Sequence, residues 1–326
     1  MADPQTIDGI PIRSEQIGFS VEELIVCGRC AKTNPPNRLN CLYCGEALEL
    51  PSEIAAGVRF KPSEIEDWEN GVNIAVIDGL SGTDPQAITS AVMIDTDLAT
   101  SLPTIEPPLP LFRVRPEEAD EVEARLARLG LGVGRVDDKA LNLAKPPMRL
   151  KGIDIGDGSL TFLQFNSNEN SVVDISDVAL LVVGSIVTTN AESKLKKKRK
   201  EIKEFDEHIS SSDHAVVDIY TSGDGAGYRI LQHGFDFSCL GERKSLLASE
   251  NVKRLVEMLR ELLPDAEFDR SYASKSAILD RIWPRTVANT SRGIERSWFG
   301  VQRSLGTMTS NEEQFTRYSR MRRKLL

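Results

Sequence analysis

The sequence predicts an α+β protein built from several domains, and three observations lead to this prediction. Four of the five cysteines lie within residues 27–44. A segment follows in which short strands alternate with helices, and then a longer segment rich in strands that closes with a helix. We expect a small four-cysteine zinc ribbon, a β-α-α-β-α-β domain, and an antiparallel β domain with a C-terminal helix.

Composition places the chain among ordinary globular proteins, with 40% hydrophobic and 27% charged residues in a length of 326. The opening MADPQTIDGI lacks the basic start and apolar stretch of a secretory signal. The longest nearly apolar run, residues 178–187, is much shorter than the roughly 20 residues of a membrane span. We therefore expect a cytoplasmic protein.

Charge is distributed unevenly along the chain, whose formal net charge is −9. Residues 1–110 hold 6 basic and 17 acidic residues, whereas residues 281–326 hold 10 basic and 3 acidic ones. An acidic front and a basic tail can attract each other, or the tail can contact an acidic partner. The net charge argues against a dedicated nucleic-acid-binding protein.

The cysteines Cys27, Cys30, Cys41 and Cys44 follow the pattern C-x2-C-x10-C-x2-C. Two CxxC pairs place four thiolates at the corners of a tetrahedron, the geometry that a structural zinc ion accepts. Disulfides are the competing interpretation, which a reducing cytosol disfavours, and a redox CxxC is a minor alternative. We predict one structural Zn²⁺ per chain in a ribbon with an N-terminal arm, residues 1–50. Gly28 and Gly45 are expected to supply permissive backbone beside the ligands.

This stretch resembles the zinc-ribbon families and, in spacing, the Ran-binding-protein type of zinc finger. Asn34 stands four residues after the second cysteine, as an Asn does in that type. The family's Trp before the first cysteine is absent, and Ala31 and Lys32 replace the Thr-Phe pair of ubiquitin-binding members. The RNA-binding members use Arg and stacking side chains, for which Arg29, Arg38 and Tyr43 are the candidates. We therefore expect a zinc-stapled module that docks on protein, rather than a ubiquitin-binding or RNA-binding finger.

The middle of the chain predicts a compact α+β domain over residues 72–137, preceded by a linker at residues 51–71. Asp84 is expected to be the N-cap of a helix that begins with Pro85. Pro116 and Gly130 are expected to lie near the start and at the end of a later helix. The order β-α-α-β-α-β looks like the C-terminal domain of the ribosomal stalk protein and the Clp protease adaptor, and it implies protein binding.

After a second linker at residues 138–147, the pattern predicts mostly strands over residues 148–284. One amphipathic helix closes the series at residues 249–264, with Ser249 as its N-cap. Antiparallel strands followed by such a helix resemble a pleckstrin-homology-like barrel, although another small sheet-plus-helix domain fits nearly as well. His233 and Cys239 invite a Cys-His nucleophile, but a small buried cysteine beside two Phe residues accounts for Cys239 better.

Two segments are candidates for contact with partners. The run KLKKKRKEIKEF at residues 194–205 predicts a solvated loop, with contact to phosphate as the alternative. The remaining residues, 285–326, form a basic tail with interleaved aromatic side chains. The partner-binding candidates in it are Trp298, Phe299, Phe315 and Tyr318. The basic-contact candidates are Lys196, Lys197, Lys198, Arg199, Lys200, Arg320, Arg322 and Arg323.

The sequence as a whole predicts a non-enzymatic zinc protein that works as a protein-interaction, scaffold or regulatory factor. The alternative is a nucleic-acid-associated protein that uses the zinc ribbon, the basic loop at residues 194–203 and the Arg-rich tail. A third interpretation is an enzyme of unknown reaction in the β-rich domain. The chain contains no GxSxG, HExxH or Walker pattern.

Overall fold

The computed structural model describes residues 6–7, 10–11, 24–36, 38, 40–46, 48, 60–62, 65, 70–167, 169–198, 201–223, 225–297 and 300–326. It describes only the backbone, and not the side chains, of residues 6–7, 10–11, 193–198, 201–207, 290–297 and 300–305. Two pairs of short antiparallel strands come first, β1 (Thr6–Ile7) with β2 (Ile10–Pro11), and β3 (Ile25–Val26) with β4 (Thr33–Asn34).

The middle unit has the predicted element order. It consists of β5 (Val72–Asp78), α1 (Pro85–Val92), α2 (Thr96–Ser101), β6 (Leu109–Val114), α3 (Pro116–Arg128) and β7 (Gly132–Asp137). The three strands form an antiparallel sheet in the order β6-β5-β7. The predicted cap is confirmed, because the Asp84 carboxylate accepts a hydrogen bond from the Gln86 amide at 3.0 Å.

The β-rich unit is one large sheet of mixed direction. Its first strands are β8 (Met148–Ile155), β9 (Ser159–Gln164), β10 (Asn170–Asp174), β11 (Val178–Lys198), β12 (Glu201–Thr221) and β13 (Tyr228–Leu231). Helix α4 (Ala248–Leu262) packs its apolar stripe against this sheet, and β14 (Glu267–Asp269) pairs in parallel with β11. The helix has Leu247, not Ser249, as its N-cap.

Two predictions for this unit need correction. The basic run at residues 194–205 is not a loop, since its described residues continue β11 and β12, each 21 residues long. The strand order is β10-β9-β8-β13-β12-β11-β16-β15, and its two end strands do not pair with each other in the described part of the chain. The sheet is therefore open, unlike the barrel that the pleckstrin-homology resemblance implies.

The C-terminal residues form part of the folded unit and are not a free tail. Helix α5 (Tyr272–Ile282) leads into the hairpin of β15 (Thr286–Ser297) and β16 (Gly300–Ser310), and α6 (Glu312–Lys324) follows. Strand β16 extends the large sheet by pairing with β11. Phe315 and Tyr318 on α6 have no exposed surface. The prediction that these two side chains bind an external partner is therefore wrong.

A shared core connects the middle and β-rich units. Ala75 and Val136 of the middle unit lie in one apolar cluster with Leu180, Val182 and side chains of α5 and α6. The segments expected to be linkers also contribute, because Phe60 is buried against the middle unit and Leu141 lies in the shared core. The two units are thus continuous in their packing.

Polar side chains inside this shared core are hydrogen-bonded. The fully buried Lys275 donates to the Pro108 carbonyl at 2.9 Å, to Ser271 Oγ at 2.7 Å and to Tyr318 Oη at 3.0 Å. Tyr318 in turn donates to the Asp269 carboxylate at 2.6 Å. Burial lowers the pKa of Lys275 to about 8, against the attraction of Asp269. This network fixes α6 against α5 and β14.

In the part of the chain that the structure describes, no helix has both the length and the apolar character that crossing a bilayer requires.

We predict that Phe315→Ala lowers the free energy of unfolding by about 3–5 kcal/mol, because it leaves a cavity in the shared core. The measurement is urea denaturation followed by circular dichroism. Leu246→Ala is the control, since Leu246 is fully exposed and should leave the midpoint unchanged. Equal midpoints for the two variants would contradict the buried position of α6.

Candidate metal centre

The four cysteines lie on two turns with the same hydrogen-bond pattern. In the first turn the Cys27 amide donates to the Lys32 carbonyl at 3.0 Å, and the Ala31 amide donates to the Cys27 carbonyl at 2.9 Å. In the second turn the Cys41 amide donates to the Glu46 carbonyl at 2.7 Å, and the Gly45 amide donates to the Cys41 carbonyl at 3.0 Å. Each turn thus presents its two thiols on the same side.

The two turns bring all four sulfur atoms together. Every pair of Sγ atoms lies within 4.8 Å, with 3.6 Å between Cys27 and Cys44 and 3.5 Å between Cys30 and Cys41. Cys27 and Cys41 are buried, and the other two are partly exposed. The group is therefore arranged to hold one metal ion, as the cysteine spacing predicts.

Asn34 supports the site from the interior of the module, where it has no exposed surface. Its side-chain amide donates to the Lys32 carbonyl at 2.9 Å and lies 3.5 Å from Cys41 Sγ. Its oxygen accepts from the Leu42 amide at 2.8 Å. One side chain therefore joins the first turn to the second and contacts a ligand sulfur.

The thiols differ in acidity because they crowd one another. Burial acts to raise the pKa of Cys41, but hydrogen bonds from the amides of Tyr43 and Cys44 outweigh it, and the pKa is lowered to about 6. The Glu46 amide acts to lower the pKa of Cys44, but burial and the neighbouring thiols raise it to about 12. One thiol of the group ionises readily and another resists ionisation. A bound cation would allow both to be thiolates.

The outer surface of the module exposes apolar side chains. Val26 is 60% exposed, Leu42 51% and Tyr43 58%. Lys32 Nζ lies 4.3 Å from the centre of the Tyr43 ring. Val26 and Leu42 were not among the contact residues predicted from the sequence. Strand alternation was a usable signal for Val26, because Ile25 packs inward and its neighbour must then face outward.

The backbone of the turns differs from the expectation in one respect. Gly45 adopts a left-handed φ of 74°, as its role next to a ligand requires. Gly28 is not among the residues with positive φ, and the matching position is Ala31, with φ of 55°. The prediction for Gly28 is therefore wrong, and the first turn carries a backbone strain that the second avoids.

The structure describes the side chains of three of the predicted basic contacts, Arg320, Arg322 and Arg323. The backbone of Lys196, Lys197 and Lys198 lies on β11, but their side chains are not described. The remaining candidates, Arg199, Lys200, Trp298 and Phe299, lie outside the described residues. Arg320 is buried and donates to the Lys145 carbonyl. Arg322 forms ion pairs with Glu267 and Asp269, and Arg323 donates to the Ser222 carbonyl. All three arginines are engaged within the chain.

His233 and Cys239 form no catalytic pair in the structure. Strand β13 ends at Leu231, and Cys239 lies in a 3-10 turn at Phe237–Arg243, half-buried against the core of the β-rich unit. Burial raises the pKa of the Cys239 thiol. His233 instead contacts His214, with 3.0 Å between Nε2 and Nδ1.

Comparison of the chain with models of known protein families, with curated proteins and with solved structures found no match.

The two turns allow a paired test of backbone strain. Ala31→Gly should tighten metal binding and Gly45→Ala should weaken it, because a non-glycine residue at left-handed φ is strained. We expect each effect to be only about two- to tenfold, because the greater chain entropy of glycine partly offsets the relief of strain. Competition for Zn²⁺ with a chromogenic chelator measures both. Gly28→Ala is the matched control, since an added Cβ there would meet no atom within 4 Å. A change in the same direction for all three variants would refute this explanation.

Proposed function

We propose that the four-cysteine module is a structural zinc ribbon and that it docks the chain on another protein. The protein would then work as a non-enzymatic scaffold or regulatory factor, and we assign it no catalytic residue. We place it in the cytoplasm, because a reducing compartment keeps thiols available for metal. The observation that carries this proposal is the exposure of Val26, Leu42 and Tyr43, which lie outside the apolar core of the module.

Zinc fits the sulfur positions better than a disulfide pairing does. A Zn–S bond of about 2.3 Å in a tetrahedral site implies sulfur atoms about 3.8 Å apart. The separations of 3.6 and 3.5 Å across the two turns lie near this value. A set of four thiolates with no oxygen or nitrogen ligand is characteristic of structural zinc, which is closed to substrates.

The ribbon surface favours a protein partner. Exposed apolar and aromatic side chains are typical anchors of protein interfaces, where they are desolvated on binding. Lys32 beside Tyr43 and the exposed Arg38 would complement carboxylates at the rim of the partner's surface. We infer a partner that offers an apolar patch with acidic residues around it.

The charges argue against the nucleic-acid alternative. Arg29 is paired with Glu46 at 2.9 Å, so the ribbon presents a carboxylate beside its main candidate for phosphate contact. Of the tail arginines predicted to contact nucleic acid, Arg320 is too buried to contact a polynucleotide backbone, and Arg322 is paired with Glu267 and Asp269. The acidic residues 1–110 would repel a polyanion.

We predict one zinc ion per chain in the purified protein, measured by elemental analysis. Cys41→Ser should abolish it, and Cys239→Ser should leave it unchanged, because Cys239 lies in another part of the fold. Removal of zinc with a chelator should unfold the ribbon and leave the helical circular dichroism of α1–α6 nearly unchanged. A metal-free, fully folded ribbon would contradict the proposal.

We predict that Leu42→Asp weakens the protein interaction by more than about tenfold, as expected when a charge enters an interface core. Affinity capture from host extract, with a nuclease-treated sample, identifies the partner, and titration with the purified partner measures the affinity. Leu246→Asp is the matched control, because Leu246 is a fully exposed leucine outside the ribbon. Unchanged affinity for Leu42→Asp would refute the docking surface.

A second titration tests the alternative function, nucleic-acid binding. Labelled RNA and DNA are measured by fluorescence anisotropy at two salt concentrations. Submicromolar binding that weakens steeply with salt would favour a nucleic-acid-associated protein, because each phosphate contact releases counterions.

A further inference from the structure

A cavity of about 430 Å³ lies at the C-terminal end of α6. Its walls come from residues 140–145, from the turn between β12 and β13 that carries Gly223 and Gly225, and from the last turn of α6. Arg320 donates to the Lys145 carbonyl, and Arg323 donates to the Ser222 carbonyl at 2.8 Å. These hydrogen bonds fix the three walls relative to one another.

The lining of this cavity is basic. Lys145, Arg320, Arg323 and Lys324 line it, none of its described lining residues is an Asp or a Glu, and Leu326, the last residue, contributes the single terminal carboxylate. Asp224, between the two turn glycines in sequence, lies outside the described residues. Such a concentration of positive charge is notable in a chain with a net charge of −9.

Arg320 differs from the other buried arginines. Among the described side chains, the arginines with less than a tenth of their surface exposed are Arg125, Arg229, Arg317 and Arg320. The first three each form an ion pair with a carboxylate. In the part of the chain that the structure describes, Arg320 forms none, although it is only 7% exposed.

The surroundings of Arg320 do not neutralise it. It lies against the Lys145 carbonyl and the Tyr220 hydroxyl, and burial raises the pKa of that tyrosine, so the phenol is neutral. The nearby carboxylate of Asp218 already receives two hydrogen bonds from Arg229, at 2.7 and 2.8 Å. Burial lowers the pKa of Arg320. A buried guanidinium without a counter-ion is costly, so the site favours an anion.

The position of α6 explains only part of this arrangement. Cations in the last turn of a helix are favoured by its dipole, which accounts for Arg323 and Lys324. The dipole does not account for the burial of Arg320, which lies one turn earlier. It also does not account for Lys145, which comes from another segment and forms no ion pair within the described chain.

We propose that this cavity binds the phosphate group of a small phosphorylated metabolite, with Arg320 and Arg323 as its guanidinium ligands and Lys145 as a third cation. Arg320 and Arg323 are three residues apart on one helix face and carry planar donor groups that match phosphate oxygens. A phosphomonoester dianion balances more than one of these cations. The volume is within the range of about 300–1,000 Å³ for small-molecule sites, which leaves space beyond the phosphate for the rest of the ligand.

The test uses the full-length, zinc-loaded protein with inorganic phosphate, glycerol phosphate and ribose phosphate as probes. Calorimetric titration measures affinity, thermal unfolding measures Tm, and sodium chloride at matched ionic strength corrects for screening. We expect the phosphate compounds to bind and to raise Tm beyond the chloride effect. Arg323→Gln and Lys145→Gln should each weaken binding by about tenfold or more, because each removes a charged hydrogen-bond donor.

Arg128→Gln is the matched control, because Arg128 is an exposed arginine in the last turn of α3 and should leave phosphate binding unchanged. Arg320→Met should abolish binding and should lower the Tm of the ligand-free protein less than Arg229→Met does, because only the second change leaves a buried carboxylate, Asp218, unpaired. If Arg320→Met does not fold, the two surface variants decide. The proposal would be overturned if phosphate raised Tm no more than chloride does, or if Arg128→Gln and Arg323→Gln lost the same affinity. It would also be overturned if only phosphopeptides or polynucleotides bound.

Discussion

The packing of α6 against β11 is the interaction on which the larger part of the fold depends. Phe315 occupies the space beside Gly184, where an added Cβ would lie 2.5 Å from the ring. Asn311, the N-cap of α6, accepts a hydrogen bond from the Val187 amide of β11 at 2.7 Å. The same cluster contains Ala75 and Val136 of the middle unit. Because α6 takes part in this cluster, it connects the middle unit to the β-rich unit.

Local signals in the sequence were sufficient for the ribbon and for the middle unit. The cysteine spacing predicts the four-thiol group, because each CxxC pair closes its own turn and the two turns then meet. In the middle unit, Asp84 caps a helix that Pro85 begins, and the apolar residues Val122 and Leu126 recur at helical spacing. Features of this kind are set by residues only a few positions apart, so they can be read before any tertiary contact is known.

Non-local packing decided what the sequence could not reveal. The aromatic residues of α6 alternate with arginines, a pattern equally typical of an exposed docking helix, and the acidic partners of Arg322 are distant in sequence. Helix α5 was missed because a lysine, Lys275, occupies one of its buried positions and interrupts the apolar pattern. The basic run after residue 193 was predicted to be a loop, yet pairing with β16 supports the extended backbone of β11. The strain at Ala31 has no sequence signal, since only its place in the turn imposes a positive φ.

The chain order of these contacts has a consequence for biosynthesis. Helix α6 follows every element against which it packs, and Trp283 bonds to Asn73 across 210 positions. At about 5–20 residues per second, a ribosome needs roughly 15 seconds to a minute to extend the chain from the ribbon to α6. Residues 27–44 can bind their metal early in this period, whereas β11 must wait for its helix with apolar surface uncovered. The nascent β-rich unit therefore exposes this apolar surface at a stage when every residue of the ribbon has already been made.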